Sequence, residues 1–161
     1  MQIRPETPAD HAAIRAVVFA AFARPDEADL VDQLRRDGDA TISLVAEADG
    51  EIIGHVLLSP MTAPFAAFGL APLSVLPAHQ QHGVGSALMH AAIDAARTTG
   101  AAAIFLLGHP AYYRRFGFSA EAAKPFASPY AGPHFMALPL VNPLPATHGA
   151  ADYAAAFGAQ G

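Results

Sequence analysis

The residues best placed to do chemistry form a short glycine-containing segment between a predicted strand and a predicted helix. The apolar spacing predicts the helix over 83–97, and the segment that opens it reads Gln80-Gln81-His82-Gly83-Val84-Gly85-Ser86. The first amides of a helix have no partner within it, and the helix dipole adds about half a positive charge there. Glycines let a phosphate approach the backbone closely. The segment therefore predicts an anion site of main-chain donors, although a turn before an ordinary helix has the same composition.

Two common nucleotide-binding motifs do not fit this segment. A P-loop requires a lysine after its second glycine, and the segment contains none. The dinucleotide fingerprint requires a third glycine where Leu88 stands, and an acidic residue where Leu107 and Gly108 end the next strand. A generic nucleotide-binding domain is therefore disfavoured.

A second block, rich in aromatic and basic residues, lies further along the chain and reads Tyr112-Tyr113-Arg114-Arg115-Phe116-Gly117-Phe118. This block resembles the Tyr-x3-Gly-Phe block of the GNAT superfamily of N-acetyltransferases. The pattern Val75-x-Pro77-x2-Gln80-x2-Gly83-x-Gly85 resembles the acyl-coenzyme A motif of the same superfamily. The stretches 107–118 and 133–138 are most similar to its YhbS-like branch of predicted acetyltransferases, and the resemblance spans residues 1–140.

The resemblance implies an N-acetyltransferase with acetyl-coenzyme A (acetyl-CoA) as donor and a small-molecule or peptide amine as acceptor. It implies that the sheet splays between the strand that ends at Val75 and the strand over 101–107, which leaves backbone groups of the first strand free. The backbone of Leu73, Ser74 and Val75 would then pair with the pantetheine arm, as an added strand does. Gln80 either orients the loop or is a polar turn residue. The amides that would cradle the pyrophosphate belong to Gln81, His82, Gly83, Val84, Gly85 and Ser86.

By the same resemblance, Tyr113 is the expected general acid. A tyrosine with an ordinary pKa of about 10 is neutral at pH 7 and can protonate a leaving thiolate. Tyr112 is the alternative donor, and packing of the helix onto the sheet is the other interpretation of Tyr113. Because the chain has no cysteine to carry an acyl group, the amine is expected to attack the thioester directly in a ternary complex.

The group that takes a proton from the amine stays open at this stage. Some members of the superfamily use a carboxylate on the strand before the loop, but residues 65–71 contain none. The missing carboxylate also keeps open a non-catalytic acyl-CoA sensor or interaction module on the same fold. The candidates for the base are Glu51, His55, His109 or a water held by backbone carbonyls. Glu27 and Asp29, on a predicted helix, either line the acceptor site and attract a cation there or belong to a solvated helix face.

Composition disfavours several other classes of protein. The 161 residues include no cysteine, which excludes disulfides, cysteine–zinc sites and thiol nucleophiles. A net charge of −5 argues against a nucleic-acid partner, and eight histidines without clustered carboxylates predict no metal site. No apolar stretch reaches the ~20 residues that span a bilayer, and the first six residues lack a signal-peptide core. We therefore expect no membrane association and a cytoplasmic location. Dimers are common in the superfamily that the chain resembles, and a homodimer is therefore consistent with the resemblance.

The elements that must position these residues predict a mixed α/β (α+β) sheet. A short strand over 2–5 and two helices, ending near Phe22 and Arg36, come first. Strands over 41–47 and 51–59 are joined by an Asp49-Gly50 turn and continue into a third strand over 65–75, bent near Gly69 and Pro72, which makes an antiparallel meander. The helix over 83–97 then leads to an apolar strand over 101–107, and such a connection makes the two flanking strands parallel.

A short helix over 110–116 and a last strand over 135–140 complete the predicted elements. The residues from Val141 onward are mostly Pro, Ala and Gly with few large apolar side chains. We therefore predict one acetyltransferase domain over 1–140 and a loosely held tail over 141–161.

Overall fold

The computed structural model describes residues 1–158 and contains a six-stranded mixed sheet with the order β1-β2-β3-β4-β5-β7. Every neighbouring pair in this sheet is antiparallel except β4 and β5, which are parallel. The predicted meander and parallel crossover are therefore confirmed. The strands are β1 (Gln2–Pro5), β2 (Ile42–Ala48), β3 (Glu51–Pro60), β4 (Ala67–Val75), β5 (Ala103–Leu107), β6 (Phe126–Ala127), β7 (Phe135–Pro139) and β8 (Gly149–Ala150).

The helices cover both faces of the sheet. On one face, Leu88 and Ala92 of α3 pack against Val56 and Ile104, and all four are fully buried. On the other face, α1 and α2 bury a second apolar cluster over β2 and β3. The helices are α1 (His11–Phe22), α2 (Asp26–Arg36), α3 (Val84–Thr98), α4 (Pro110–Tyr113), α5 (Ala120–Ala123) and α6 (Ala155–Gly158).

Strands β4 and β5 pair over only part of their lengths. Residues 67–69 of β4 pair with residues 103–105 of β5, and the pairing stops at Gly69 and Phe105. The remaining part of β4 pairs with β3 along one edge, with an irregularity between Val56 and Leu58 that matches the predicted bend. The other edge of β4 beyond Gly69 is therefore open, which leaves main-chain groups available to a ligand.

The segment after β7 differs from the loosely held tail that its composition predicts. Strand β8 pairs in parallel with β6, and Thr62 forms a bridge with Asp152. Ala151 and Ala156 are buried. Small side chains let this segment pack closely over the sheet, so few large apolar residues are needed to hold it. Within residues 1–158, no helix combines the length and apolarity needed to cross a bilayer.

Candidate active site

The turn between β4 and α3 uses two left-handed backbone positions. A short 3-10 turn over Pro77–His79 comes first, and Gln81 then has φ +65°. Gly83, directly before α3, has φ +84°. L side chains are strained in this region, which explains a glycine at the start of the helix. The two positions turn the chain so that its amides lie at the N-terminal end of α3.

Six consecutive amides in this turn are unpaired. The first hydrogen bond of α3 is donated by the Ala87 N–H to the Gly83 carbonyl at 3.0 Å. In the part of the chain that the structure describes, the preceding N–H groups, from Gln81 to Ser86, donate to no backbone or side-chain acceptor. Together with the helix dipole, these donors form a site for an anion.

The Gln80 side chain connects this turn to the end of β4. Its Nε2 donates a hydrogen bond to the Val75 carbonyl at 3.1 Å. The Leu76 N–H donates to the Ile53 carbonyl on β3 at 2.9 Å. Because successive residues of a strand direct their backbone groups to opposite edges, the Val75 N–H faces the open edge of β4.

A cleft of about 780 Å³ joins the turn, the open edge of β4 and the start of α4. It contains seven of the eleven predicted site residues: Leu73, Val75, Gln80, Gln81, Gly83, Gly85 and Ser86. The side chains of Ser74 and Val84 are buried instead, and His82 is exposed outside the cleft. Only the backbone of those three residues was predicted to bind, so their side-chain positions leave that prediction intact.

The cleft also contains residues outside the predicted binding set, among them Tyr112, which the sequence offered as the alternative proton donor. Tyr112 lies directly over the start of α3, since its hydroxyl is 2.7 Å from the position that a Cβ on Gly85 would occupy. The Arg115 guanidinium stacks 4.4 Å from the centre of the Tyr112 ring and lines the cleft. Ala21 and Phe22 reach the cleft from the end of α1, and no local pattern in the sequence could have placed them there.

Tyr113 lies beside the cleft and is not among the residues that line it. Its ring packs so closely on Gly108 that a Cβ there would lie 2.4 Å from a ring carbon, and it meets the Phe118 ring edge-on at 6.2 Å. Burial, and then the neighbouring Tyr112, raise the pKa of Tyr113 to about 12. The Tyr113 hydroxyl has no protein partner among residues 1–158 and, unlike that of Tyr153, is not sealed from solvent.

The three candidate bases lie in different environments, and none lines the cleft. Glu51 is exposed at the hairpin between β2 and β3, and His109 is exposed after β5. His55 is fully buried, with Nε2 2.8 Å from the Ser43 Oγ, and burial lowers the pKa of His55 to about 4.

The carboxylates predicted to line an acceptor site from α2 already have partners. Glu27 accepts two hydrogen bonds from Arg24 at 2.7 Å, and Asp29 pairs with Arg15 at 2.7 Å. Over residues 1–158, no group of three or more His, Asp or Glu side chains could hold a metal ion. The groups that this site offers for chemistry are therefore its backbone amides, its tyrosine hydroxyls and the Arg115 guanidinium in the cleft.

Comparison with known proteins places this geometry in a family. Residues 9–118 match the family described as acetyltransferase (GNAT). The uncharacterised N-acetyltransferase YhbS of Escherichia coli K12 is 39% identical over 126 residues, which cover 76% of this chain and 75% of that protein.

Two solved structures share the fold closely. The crystal structure of E. coli YhbS in complex with CoA has a TM-score of 0.91 and 34% identity, covering 98% of this chain and 91% of that one. A GNAT family acetyltransferase from Brucella melitensis in complex with acetyl-CoA has a TM-score of 0.84 and 38% identity, and covers 97% of each chain. From its sequence and its fold together, this chain belongs to the GNAT family of acetyltransferases.

Proposed function

We propose that this acetyltransferase moves an acetyl group from acetyl-CoA to a primary amine by direct attack within a ternary complex. The observation that carries the proposal is the row of unpaired amides over residues 81–86 next to the open edge of β4. A diphosphate fits such a row because each oxygen can accept hydrogen bonds that the helix cannot make internally. The relatives crystallised with CoA and acetyl-CoA agree with this choice of donor.

The open edge of β4 would hold the pantetheine arm. The amide groups of the arm can pair with a strand edge in the manner of an added strand. Leu73 and Val75 line the cleft along this edge. The Val75 carbonyl already accepts from Gln80, so the free Val75 N–H is the group of this residue that can donate to the arm. Arg115 adds a positive charge to the cleft for a phosphate.

Tyr113 is the proposed general acid. Its pKa of about 12 keeps the hydroxyl protonated at physiological pH, and the hydroxyl has no competing acceptor in the described protein. The thiol that corresponds to the leaving thiolate has an ordinary pKa of about 8.5. Proton transfer to the sulfur from an adjacent donor therefore assists its departure as the C–S bond breaks. The chain has no cysteine for an acyl-enzyme, which favours direct attack by the amine.

Two measurements test the proposal together. Thermal unfolding with acetyl-CoA at 100 times its dissociation constant should show roughly 2.7 kcal/mol of added stability. Release of free CoA thiol, followed with a thiol reagent across a panel of amines, should show turnover against a background free of protein cysteine. An unchanged melting temperature at millimolar acetyl-CoA contradicts the binding site. Stabilisation without thiol release from any amine favours the alternative, an acyl-CoA sensor.

A further inference from the structure

A second cavity lies further along the same strand, on the side away from the amide row. Its volume is about 360 Å³, and Leu70 and Ala71 of β4 form one wall. Leu107 stands across the opening, at the end of β5 where pairing with β4 has already stopped. The lining is completed by Arg24, Tyr130, Tyr153 and Phe157.

The order of residues along β4 relates this cavity to the proposed donor site. The chain passes from Leu70 and Ala71 in the second cavity, to Leu73 and Val75 in the cleft, and then to the amides of residues 81–86. An arm whose phosphates are held at the amides and which extends along Leu73–Val75 therefore has its reactive end directed towards Leu70 and Ala71. The second cavity is thus the space that adjoins the thioester.

The walls of the second cavity are mainly apolar and aromatic. The Tyr153 ring packs against Gly69, where a Cβ would lie 2.6 Å away, and it contacts the Tyr130 ring at 5.6 Å and the Phe157 ring at 5.1 Å. Leu107 is 50% exposed and Tyr130 is 38% exposed, so two large apolar side chains face solvent at this end of the sheet. Exposed apolar groups that meet at a cavity are typical of a ligand site.

The lining of the second cavity offers no free negative charge. Arg24 is its one charged lining residue, and no carboxylate lines it. The Arg24 Nε and Nη2 atoms donate to Glu27 at 2.7 Å, which leaves Nη1 without a protein partner among residues 1–158. A substrate with several ammonium groups would therefore meet no carboxylate among the lining residues, and the Arg24–Glu27 pair offers it no free negative charge.

We propose that this cavity holds the body of the acceptor, and that the acceptor is a monoamine with an aromatic or branched apolar body. The inference rests on the proposed acetyl transfer and adds the class of amine. The neutral amine nitrogen forms a C–N bond to the thioester carbonyl carbon, the C–S bond breaks, and sulfur leaves as the thiol after one proton transfer. The volume of about 360 Å³ lies near the lower end of the range of about 300 to 1,000 Å³ for ligand cavities, which disfavours a bulky aminoglycoside. The lack of carboxylates in the lining disfavours polyamines.

The test compares amines of matched reactivity and different bodies. Thiol release is measured with phenethylamine, phenylalanine, spermidine and an aminoglycoside, and binding of each amine to the enzyme–CoA complex is measured by calorimetry. We expect phenethylamine or phenylalanine to exceed spermidine at least ten-fold in kcat/KM and in affinity. A preference for phenylalanine over phenethylamine would assign its carboxylate to the free Arg24 nitrogen.

A substitution in the cavity wall provides the second arm. Leu107→Glu adds a carboxylate at the half-exposed wall, and the ratio of kcat/KM for phenethylamine over spermidine should fall at least ten-fold. Val141→Glu is the matched control, because Val141 is 41% exposed and lines a different cavity. The control should leave this ratio unchanged, and both variants should keep the acetyl-CoA affinity within two-fold.

The outcomes separate this inference from the proposed function. Equal or better use of spermidine or the aminoglycoside overturns the acceptor class while acetyl transfer stands. An unchanged ratio in Leu107→Glu also overturns it. If the protein binds no acetyl-CoA and releases thiol with no amine, the proposed function itself fails.

Discussion

Gln80 and Val75 are joined by a hydrogen bond of 3.1 Å from the side-chain amide to the backbone carbonyl. The bond fixes the turn before α3 relative to the end of β4, which are the two elements that would hold the two halves of acetyl-CoA. It also occupies the Val75 carbonyl, so that of the two backbone groups of Val75 only the N–H is offered to the open edge. The position of the unpaired amides therefore depends on this contact.

Removing the contact should weaken donor binding. A neutral hydrogen bond is worth about 1 kcal/mol, so Gln80→Ala should raise the acetyl-CoA dissociation constant about five-fold. Gln80→Glu should raise it further, because a carboxylate cannot donate to the Val75 carbonyl and repels the phosphates. Calorimetry with both variants checks the prediction. Equal affinity in wild type and Gln80→Glu would show that the turn does not hold the phosphates.

Gly85 is close to the Tyr112 hydroxyl, and a substitution there should disturb the start of α3. A Cβ at Gly85 would lie 2.7 Å from the hydroxyl oxygen but 3.9 Å from the ring carbon that bears it. Gly85→Ala therefore forces Tyr112 or the helix to move, and we expect acetyl-CoA affinity to fall roughly ten-fold, about 1.4 kcal/mol.

The clash predicts its own rescue. Tyr112→Phe removes the oxygen and leaves an ordinary contact of 3.9 Å, so the double variant Gly85→Ala/Tyr112→Phe should bind acetyl-CoA within about three-fold of Tyr112→Phe alone. A double-mutant cycle on the dissociation constants measures this coupling. Strictly additive effects would mean that the two residues do not meet in the working enzyme.

The order of the elements could be predicted from the sequence because each signal was local. The signals of the Asp49-Gly50 turn, of the continuous apolar run of β5 and of the glycines at 83 and 85 each come from neighbouring residues in the sequence. Positive φ values at Asp49, Gly50 and Gly83 show the physical requirement behind these patterns.

The residues that the sequence analysis missed depend on contacts between distant segments. Tyr153 packs on Gly69, eighty-four positions earlier, and a segment rich in alanine gives no periodic signal for such a contact. The distinction between Tyr112 and Tyr113 is also tertiary. The two rings lie 4.9 Å apart at 86° and face different surroundings, which adjacency in the chain cannot reveal.

Replacing the proposed acid should affect chemistry and spare binding. Tyr113→Phe should lower kcat by ~10²-fold or more, because a positioned acid contributes that much, while the acetyl-CoA dissociation constant changes less than two-fold. The matched control Tyr112→Phe should reduce kcat far less. Since the pKa of Tyr113 is about 12, its ionisation should not lower wild-type kcat below pH 10. A larger loss in Tyr112→Phe than in Tyr113→Phe would exchange the two roles.

His55 should make the folded state less stable as the pH falls from 7 to 5. Burial lowers the pKa of His55 to about 4; Glu6 raises it in part, and Arg35 lowers it again. The unfolded chain has an ordinary value near 6.5 and takes up a proton that the folded chain excludes. The folded state therefore has its full stability above pH 6.5 and loses it as the pH falls towards 4. This linkage is worth about 2 kcal/mol between pH 7 and pH 5.

Urea unfolding at pH 5, 6 and 7 measures the effect, and two variants assign it. In His55→Gln the part of the slope due to this residue should vanish, even if the variant is less stable at pH 7, because glutamine does not titrate but can still bond to Ser43. The exposed His82→Gln should keep the wild-type slope. Burial raises the pKa of Glu6, but hydrogen bonds from Arg35 and Ser43 outweigh it and lower the pKa below 4.5. The stability that ionised Glu6 contributes is therefore lost mainly below pH 5, outside the pH range of these measurements. An identical slope in His55→Gln and wild type would show that the imidazole is not held neutral in the folded protein.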